Sequence, residues 1–288
     1  MNLVPFNGSL AALFDTWFFS LPASFWLLMA IMGAISIASY AARQLTGSGA
    51  FAAFLVGFGS TWVLGFGSLA TLLFFFITAG ILNKLSKRLR GKEMSKIHAK
   101  GGRRDAMQVW ANGLFALLGA LLYALDQSPV YLVMFATSVA EAASDTFAGD
   151  VGILSKREPV SIITGRPMRR GLSGAVSPLG LVSGMLGAIL IALTAWSLLL
   201  TPDRAGAAGA SVIAIAAFFG CLIDSVLGAT IQAHWWDEES NTLTEHPTKN
   251  GKPLPLERGI RWIDNDMVNL LSNATATLLA FSLMAIFS

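Results

Sequence analysis

A chain of 288 residues with 54% hydrophobic and only 13% charged residues lies well outside ordinary soluble composition, in which charged residues make up about 25%. The net charge of +3 means little until it is located along the chain, and a single cysteine, Cys221, excludes an internal disulfide or a thiol-rich metal centre. Several uncharged stretches reach the roughly 20 residues that cross a bilayer. The expected fold is therefore all-α: one polytopic transmembrane helix bundle over 1–288, with about seven or eight spans.

The first segment, 1–22, is read as interfacial. Residues 9–20 are rich in Trp and Phe but too short to span, and such rings favour the membrane boundary. The N-terminus lacks the basic region of a cleaved signal, so the first helices are expected to remain in the protein. Spans follow at 23–42, 48–65 and 67–83. The last two are joined by a tight turn at Gly65 and Gly67, while Gly47, Gly49, Gly57 and Gly59 predict close helix packing.

The next segment, 84–104, sets Lys84, Lys87, Arg88, Arg90, Lys92, Lys96, Lys100, Arg103 and Arg104 against one acid, Glu93. By the positive-inside rule this loop faces the cytoplasm. Spans at 107–125 and 129–147, with an outer turn between them, return the chain to a second cytoplasmic loop, 149–170. Two more spans, 171–199 and 208–230, lead to a third polar loop, 231–261. A last span covers 262–287. All three large polar segments thus fall on one side.

Charged groups inside a span cost about 2.5–3.5 kcal/mol on insertion scales, so each needs a reason. Asp105, Gln108 and Asn112 share one face of the helix entering the membrane; Asp105 also suits an N-cap. Glu141 and Asp145, four residues apart, share a face about one turn from the polar side. Two such carboxylates repel unless a cation or a shared proton relieves them. Mg²⁺ suits them, because it takes carboxylate oxygens and keeps positions that phosphates can fill. Gly149 and Gly152 predict that this helix ends early, letting Asp150 turn back toward Asp145.

A third cluster runs from Thr164 to Ser177 and includes Arg166, Arg169, Arg170, Gly171, Ser173 and Gly174. Glycines and arginines opening a helix offer N–H groups and positive charge to an anion; the spacing is not that of a Walker A loop. The fourth cluster joins Asp224, deep in its span, to Asn265, Asp266 and Asn269 at the start of the last span. The histidines, His98, His234 and His246, lack ligand spacing, so zinc is not expected.

These clusters carry a resemblance. The runs 101–113 (GGRRDAMQVWANG), 144–152 (SDTFAGDVG), 171–177 (GLSGAVS), 224–232 (DSVLGATIQ) and 265–269 (NDMVN) occur in order. They resemble the integral-membrane family that includes plant phytyl-phosphate kinase and animal transmembrane protein 19. In pattern they are also similar to phytol and dolichol kinases and to CDP-lipid synthases. Family members commonly read Asp-Thr-Trp-Ala-Ser-Glu-Leu-Gly where Phe147, Gly149 and Asp150 stand here, so the acid is kept with a shorter side chain.

The resemblance implies a membrane-embedded kinase that moves a phosphoryl group from a nucleoside triphosphate, CTP, to an isoprenyl monophosphate. Asp145, Asp150, Asp224 and Asp266 are the expected catalytic residues, with Asp145, Asp150 and Asp224 holding Mg²⁺. Arg104, Asp105, Gln108, Asn112, Arg169, Arg170, Gly171, Ser173, Gly174, Asn265 and Asn269 are the expected nucleotide- and substrate-binding set. The expected partners are the triphosphate, a prenyl phosphate lipid and the bilayer, with no nucleic acid and a site facing the cytoplasm. A cytidylyltransferase making a CDP-lipid and a non-enzymatic lipid-phosphate carrier are the alternatives.

Overall fold

A computed structural model describes residues 9–90 and 103–287. Nine α-helices among the described residues make up the bundle: α1 (Leu10–Phe19), α2 (Ser24–Ala41), α3 (Gly47–Leu64), α4 (Phe66–Arg90), α5 (Ala106–Asp126), α6 (Pro129–Gly152), α7 (Pro178–Leu198), α8 (Arg204–Thr230) and α9 (Asn265–Phe287). Short strands cap it: β1 (Val160–Ser161), β2 (Ala175–Val176), β3 (His234–Asp237), β4 (Thr242–Thr244), β5 (Thr248–Lys249), β6 (Lys252–Pro253) and β7 (Leu256–Arg258). Among the described residues seven helices, α2–α5 and α7–α9, are long and apolar enough to cross a membrane. α6 is long enough as well, but carries Glu141, Asp145 and Asp150.

The acids of α6 explain its place. It is the hub of the bundle, packed against α4, α5, α7, α8 and α9, so its polar groups are shielded from lipid by protein. Ala136, Ala140, Ala142 and Ala143 on α6 are all at most 1% exposed. On α7, Gly180, Gly184 and Gly187 form a stripe at which an added Cβ would lie 3.0–3.1 Å from the α6 carbonyls of Ala148, Ser144 and Ala143. Small residues at these positions let the two backbones touch, as membrane helix pairs require.

The polar segments gather at one end. Thr46 N donates to Arg104 O at 3.0 Å, which joins the starts of α3 and α5. Ser177 Oγ donates to Gly152 O at 3.1 Å, joining the end of α6 to the start of α7. The opposite end holds the Gly65 turn, where α1 docks: Asp15 Oδ1 accepts from Phe66 N at 2.8 Å. Gly57 backs Met32 of α2 and Gly59 backs Leu117 of α5, the close packing expected of the α3 glycines.

Several boundaries differ from those expected. α4 continues to Arg90, so the first part of the basic loop is helical, and 91–102, with Lys92, Glu93, Lys96, His98 and Lys100, lies outside the described residues. α6 continues to Gly152 instead of ending near residue 147, because Asn83 and Ser86 of α4 bond its last turn. Asp150 is thus helical and does not turn back. α7 starts at Pro178 with Ser177 as N-cap, since Gly171 and Gly174 take positive φ (81° and 87°) that breaks a helix. α8 begins at Arg204, four residues early, because Asp203 Oδ1 accepts from Gly206 N at 2.9 Å.

The 231–261 segment is folded rather than a plain loop. β4, β3 and β7 form an antiparallel sheet in that order, and β5 pairs with β6. β3 aligns Trp235 with Thr244 and Trp236 with Leu243. Lys249 Nζ donates to Asp237 Oδ2 at 2.7 Å and meets Glu239 Oε2 at 2.8 Å, tying β5 back to β3.

Candidate active site

The deepest polar groups come from three helices. From Gly152 at the polar end, Glu141 lies about 16 Å along α6 at 1.5 Å per residue. That is about three turns inside, not the single turn expected, because α6 is longer. Glu141 is 1% exposed and fully bonded: Asn273 Nδ2 donates to Oε2 at 2.7 Å and Ser272 Oγ to Oε1 at 2.9 Å. The same Ser272 hydroxyl stands 3.3 Å from Asp224 Oδ2. With its amide oriented to donate, Asn269 reaches Asp224 Oδ2 at 2.9 Å and Asn265 O at 3.1 Å. Asn265, Asp266, Asn269, Ser272 and Asn273 recur at three- and four-residue spacing, so α9 turns one polar stripe toward α6 and α8.

Toward the polar end the charges open out. Asp145 lies within charge–charge reach of Asp150, Glu141, Asp224 and the Arg104 guanidinium. Arg104 rests over the Phe75 ring at 5.6 Å. Asp150 accepts from Asn83 Nδ2 at 3.2 Å. Asp145 thus stands between two groups of charges, Asp150 with Arg104 on one side and Glu141 with Asp224 on the other. Among the described residues no three of His, Cys, Asp and Glu converge tightly enough to hold an ion by themselves.

Other expected residues take local work. Asp105 caps α5, accepting from Gln108 N at 3.1 Å, and Asn112 Nδ2 donates to Gln108 O at 2.8 Å. Arg170 donates to the carbonyls of Ile153, Ser155, Lys156 and Arg157, lacing down the turn after α6. Arg169 Nη1 donates to Leu243 O at 3.3 Å and lines an open cleft of about 510 Å³ with Arg166, Arg258 and Trp236. Asp266 is 4% exposed in the first turn of α9.

The glycine run packs on the end of α8. At Gly174 an added Cβ would lie 2.5 Å from Ala229 Cβ, and at Gly228 2.8 Å from Ser173 Cβ. Ser173 N and Oγ donate to Glu245 Oε1 at 2.9 and 2.6 Å, and Ser173 Oγ stands 3.5 Å from Asn265 Oδ1. The loop therefore joins α8, α9 and the strand cap, but it stands ahead of α7 rather than on its N-terminus.

Sequence reasoning missed Ser272, Asn273, Ser138, Asn83, Glu245 and Arg258. The α9 pair was findable, since Ser272 and Asn273 continue the Asp266–Asn269 face. Glu245 was not, because nothing local links it to Ser173, 72 residues away.

Fold and site together define a polytopic integral membrane protein with a carboxylate-rich polar core opening at one end. Residues 30–277 match the family described as Integral membrane protein DUF92, and the chain belongs to that family. It is similar to Protein PGR of Arabidopsis thaliana, 28% identical over 263 residues covering 84% of this chain and 90% of the relative. An uncharacterized membrane protein of Methanocaldococcus jannaschii is 32% identical over 193 residues, covering 66% and 76%. Protein VTE6, chloroplastic, of Arabidopsis thaliana is 25% identical over 245 residues, covering 82% and 64%. No solved structure matches the chain significantly.

Proposed function

We propose that this protein is a membrane-embedded kinase that transfers a phosphoryl group from a nucleoside triphosphate, CTP, to an isoprenyl monophosphate. The observation that carries the reading is a chain of acids through the helix bundle: Asp145 interacts with Asp150 and Arg104 on one side and with Glu141 and Asp224 on the other. The family resemblance, with its plant phytyl-phosphate kinase, supplies the chemical class. Phosphoryl transfer asks a protein mainly for positioning and charge neutralisation, and this site is rich in both kinds of group.

Mg²⁺ fits the donor set by chemistry. It binds through one or two carboxylates with phosphates and waters completing the shell, and Asp145 and Asp150 are the acids close enough to interact with each other and with Arg104. Asp145, Asp150 and Asp224 would supply the carboxylates, and the ion would neutralise phosphate charge. Arg104 would meet phosphate oxygens beside Asp145 and Asp150. Arg169 would offer its charge to the ligand from the cleft it lines, and Ser272, Asn269 and Asn273 would keep the deeper acids in place. The acceptor is already an ionised monoester, so no strong base is required. Its prenyl tail would lie between helices toward lipid. Lys84, Lys87, Arg88, Lys156 and Arg157 lie on segments next to the site, and the positive-inside rule supports reading that side as cytoplasmic.

The test uses purified protein, prenyl phosphates and triphosphate labelled at the gamma phosphate. A kinase moves that label into lipid, and Asp145→Asn lowers the rate by at least about a hundredfold while the protein still folds. Release of labelled pyrophosphate with a CDP-lipid product, or wild-type turnover by Asp145→Asn, would overturn the reading.

A further inference from the structure

Glu245 leaves the end of β4 and points inward, with a side chain only 8% exposed. Its Oε1 accepts from both the backbone N–H and the hydroxyl of Ser173. His234 Nε2 stands 3.9 Å from the same oxygen, and Arg258 Nη2 stands 3.4 Å from His234 Nε2. His234 Nδ1 faces the Gln232 carbonyl at 2.9 Å, and a carbonyl only accepts, so Nδ1 carries the hydrogen. Burial holds the ring below its ordinary pKa and therefore neutral, leaving Nε2 to accept from Arg258. His234 thus aims the Arg258 guanidinium, whose Nε is buried and without a hydrogen-bond partner among the described residues.

A backbone N–H, a hydroxyl and a guanidinium with a spare donor form a set suited to an oxyanion. The Glu245 carboxylate occupies the Ser173 donors of that set. Beside it opens the cleft of about 510 Å³ lined by Arg169, Thr242 and Arg258, wide enough for a phosphorylated ligand to approach.

We propose that Ser173 and Arg258 form a phosphoryl-binding pocket, that His234 is the positioning residue for Arg258, and that Glu245 is a built-in surrogate which an incoming phosphoryl oxygen displaces. The exchange is acceptor for acceptor: the Ser173 N–H and hydroxyl pass from carboxylate to phosphate, and the β4–β5 turn that carries Glu245 swings away. This deepens the kinase reading and rests on it only in taking the ligand to be a phosphate.

The experiment measures inorganic pyrophosphate binding to the purified full chain by titration calorimetry, with no turnover required. Glu245→Ala tightens binding by about tenfold, the worth of a hydrogen-bond competitor to a charged group. Glu238→Ala removes the same charge from the exposed turn after β3 and leaves affinity within about twofold, as a screened surface charge should. Arg258→Met weakens binding in both the native and the Glu245→Ala backgrounds. Glu245→Gln keeps the shape if the alanine variant does not fold, and shifts affinity in the same direction. Equal effects of Glu245→Ala and Glu238→Ala, or weaker binding in Glu245→Ala and Glu245→Gln, would overturn the proposal. Competition by CTP alone and by a prenyl monophosphate alone identifies which phosphate the pocket takes, and either result supports it. Failure of label transfer with this pattern intact would remove the kinase reading and leave the pocket.

Discussion

Asn273 of α9 donates its amide to Glu141 of α6 at 2.7 Å, deep in the bundle. The same nitrogen donates to Ser138 O at 2.9 Å, and the amide oxygen accepts from Ser138 Oγ at 2.7 Å. One side chain therefore satisfies groups on both ends of an α6 turn and sets the register of α9 against it. Below it, the single Ser272 hydrogen faces three acceptors: the Glu141 and Asp224 carboxylates and the Asn269 carbonyl. One hydroxyl cannot donate to all three at once, and Asn273 and Asn269 supply the other donors to Glu141 and Asp224.

Replacing Asn273 by Ala strands Glu141 and Ser138 away from water. Each buried polar group left unpaired costs about 1–3 kcal/mol, so thermal unfolding in detergent should begin well below the native midpoint. Ser272→Ala should be milder, because Glu141 keeps Asn273. Equal midpoints for native and Asn273→Ala protein would show that this clamp is not holding the helices.

The glycine loop makes a second prediction through Gly174. Its φ of 87° and its contact with Ala229 both resist a side chain. Gly174→Ala should destabilise by about 1–3 kcal/mol and release Ser173 from Glu245. At Gly149 an added Cβ meets nothing within 4 Å and the backbone is helical, so Gly149→Ala should stabilise by about 0.5–1 kcal/mol. Opposite signs in paired melting curves are the expected outcome; matching signs would contradict the loop geometry.

At the other end of the bundle, Asp15 is 3% exposed and accepts from the first N–H of α4. It acts as a cap supplied from another helix. Asp15→Ala should lower stability by about 0.5–2 kcal/mol, and Asp15→Asn, which keeps an acceptor, should recover most of it. Gly65→Ala should also be harmful, since its Cβ would fall on the Asp15 carboxylate. The check is the melting series of these three variants.

The strand cap should open in acid before the helices do. Hydrogen bonds from Lys249, then Ser240, hold the Asp237 carboxyl down to about 2 from its ordinary 3.8. A depressed carboxyl contributes stability that is complete above the ordinary value and is lost as pH falls through the depressed one. Exchange of the β3 and β5 amides should therefore rise between about pH 4 and pH 2. His234, also depressed, adds a loss of the same sign that starts below 6.5. Lys249→Met should remove the steeper acid phase. An unchanged profile in that variant would dissociate the ion pair from the opening.

Much was decided by sequence alone. Span length and apolarity located the crossing helices, because a bilayer demands about 20 residues whatever the fold. Charge placement along the chain put the polar segments on one side, and the helical period grouped Glu141 with Asp145 and Asp266 with Asn269. Those are local properties of a single helix. Tertiary structure decided the rest. It alone made α6, the most acidic helix, the centre of the bundle, since shielding from lipid depends on neighbours and not on composition. It carried Asn83 and Ser86 to the end of α6 and so kept Asp150 helical. It also brought Glu245 onto Ser173 across 72 residues, a contact made by strand pairing and loop packing that no short-range pattern encodes.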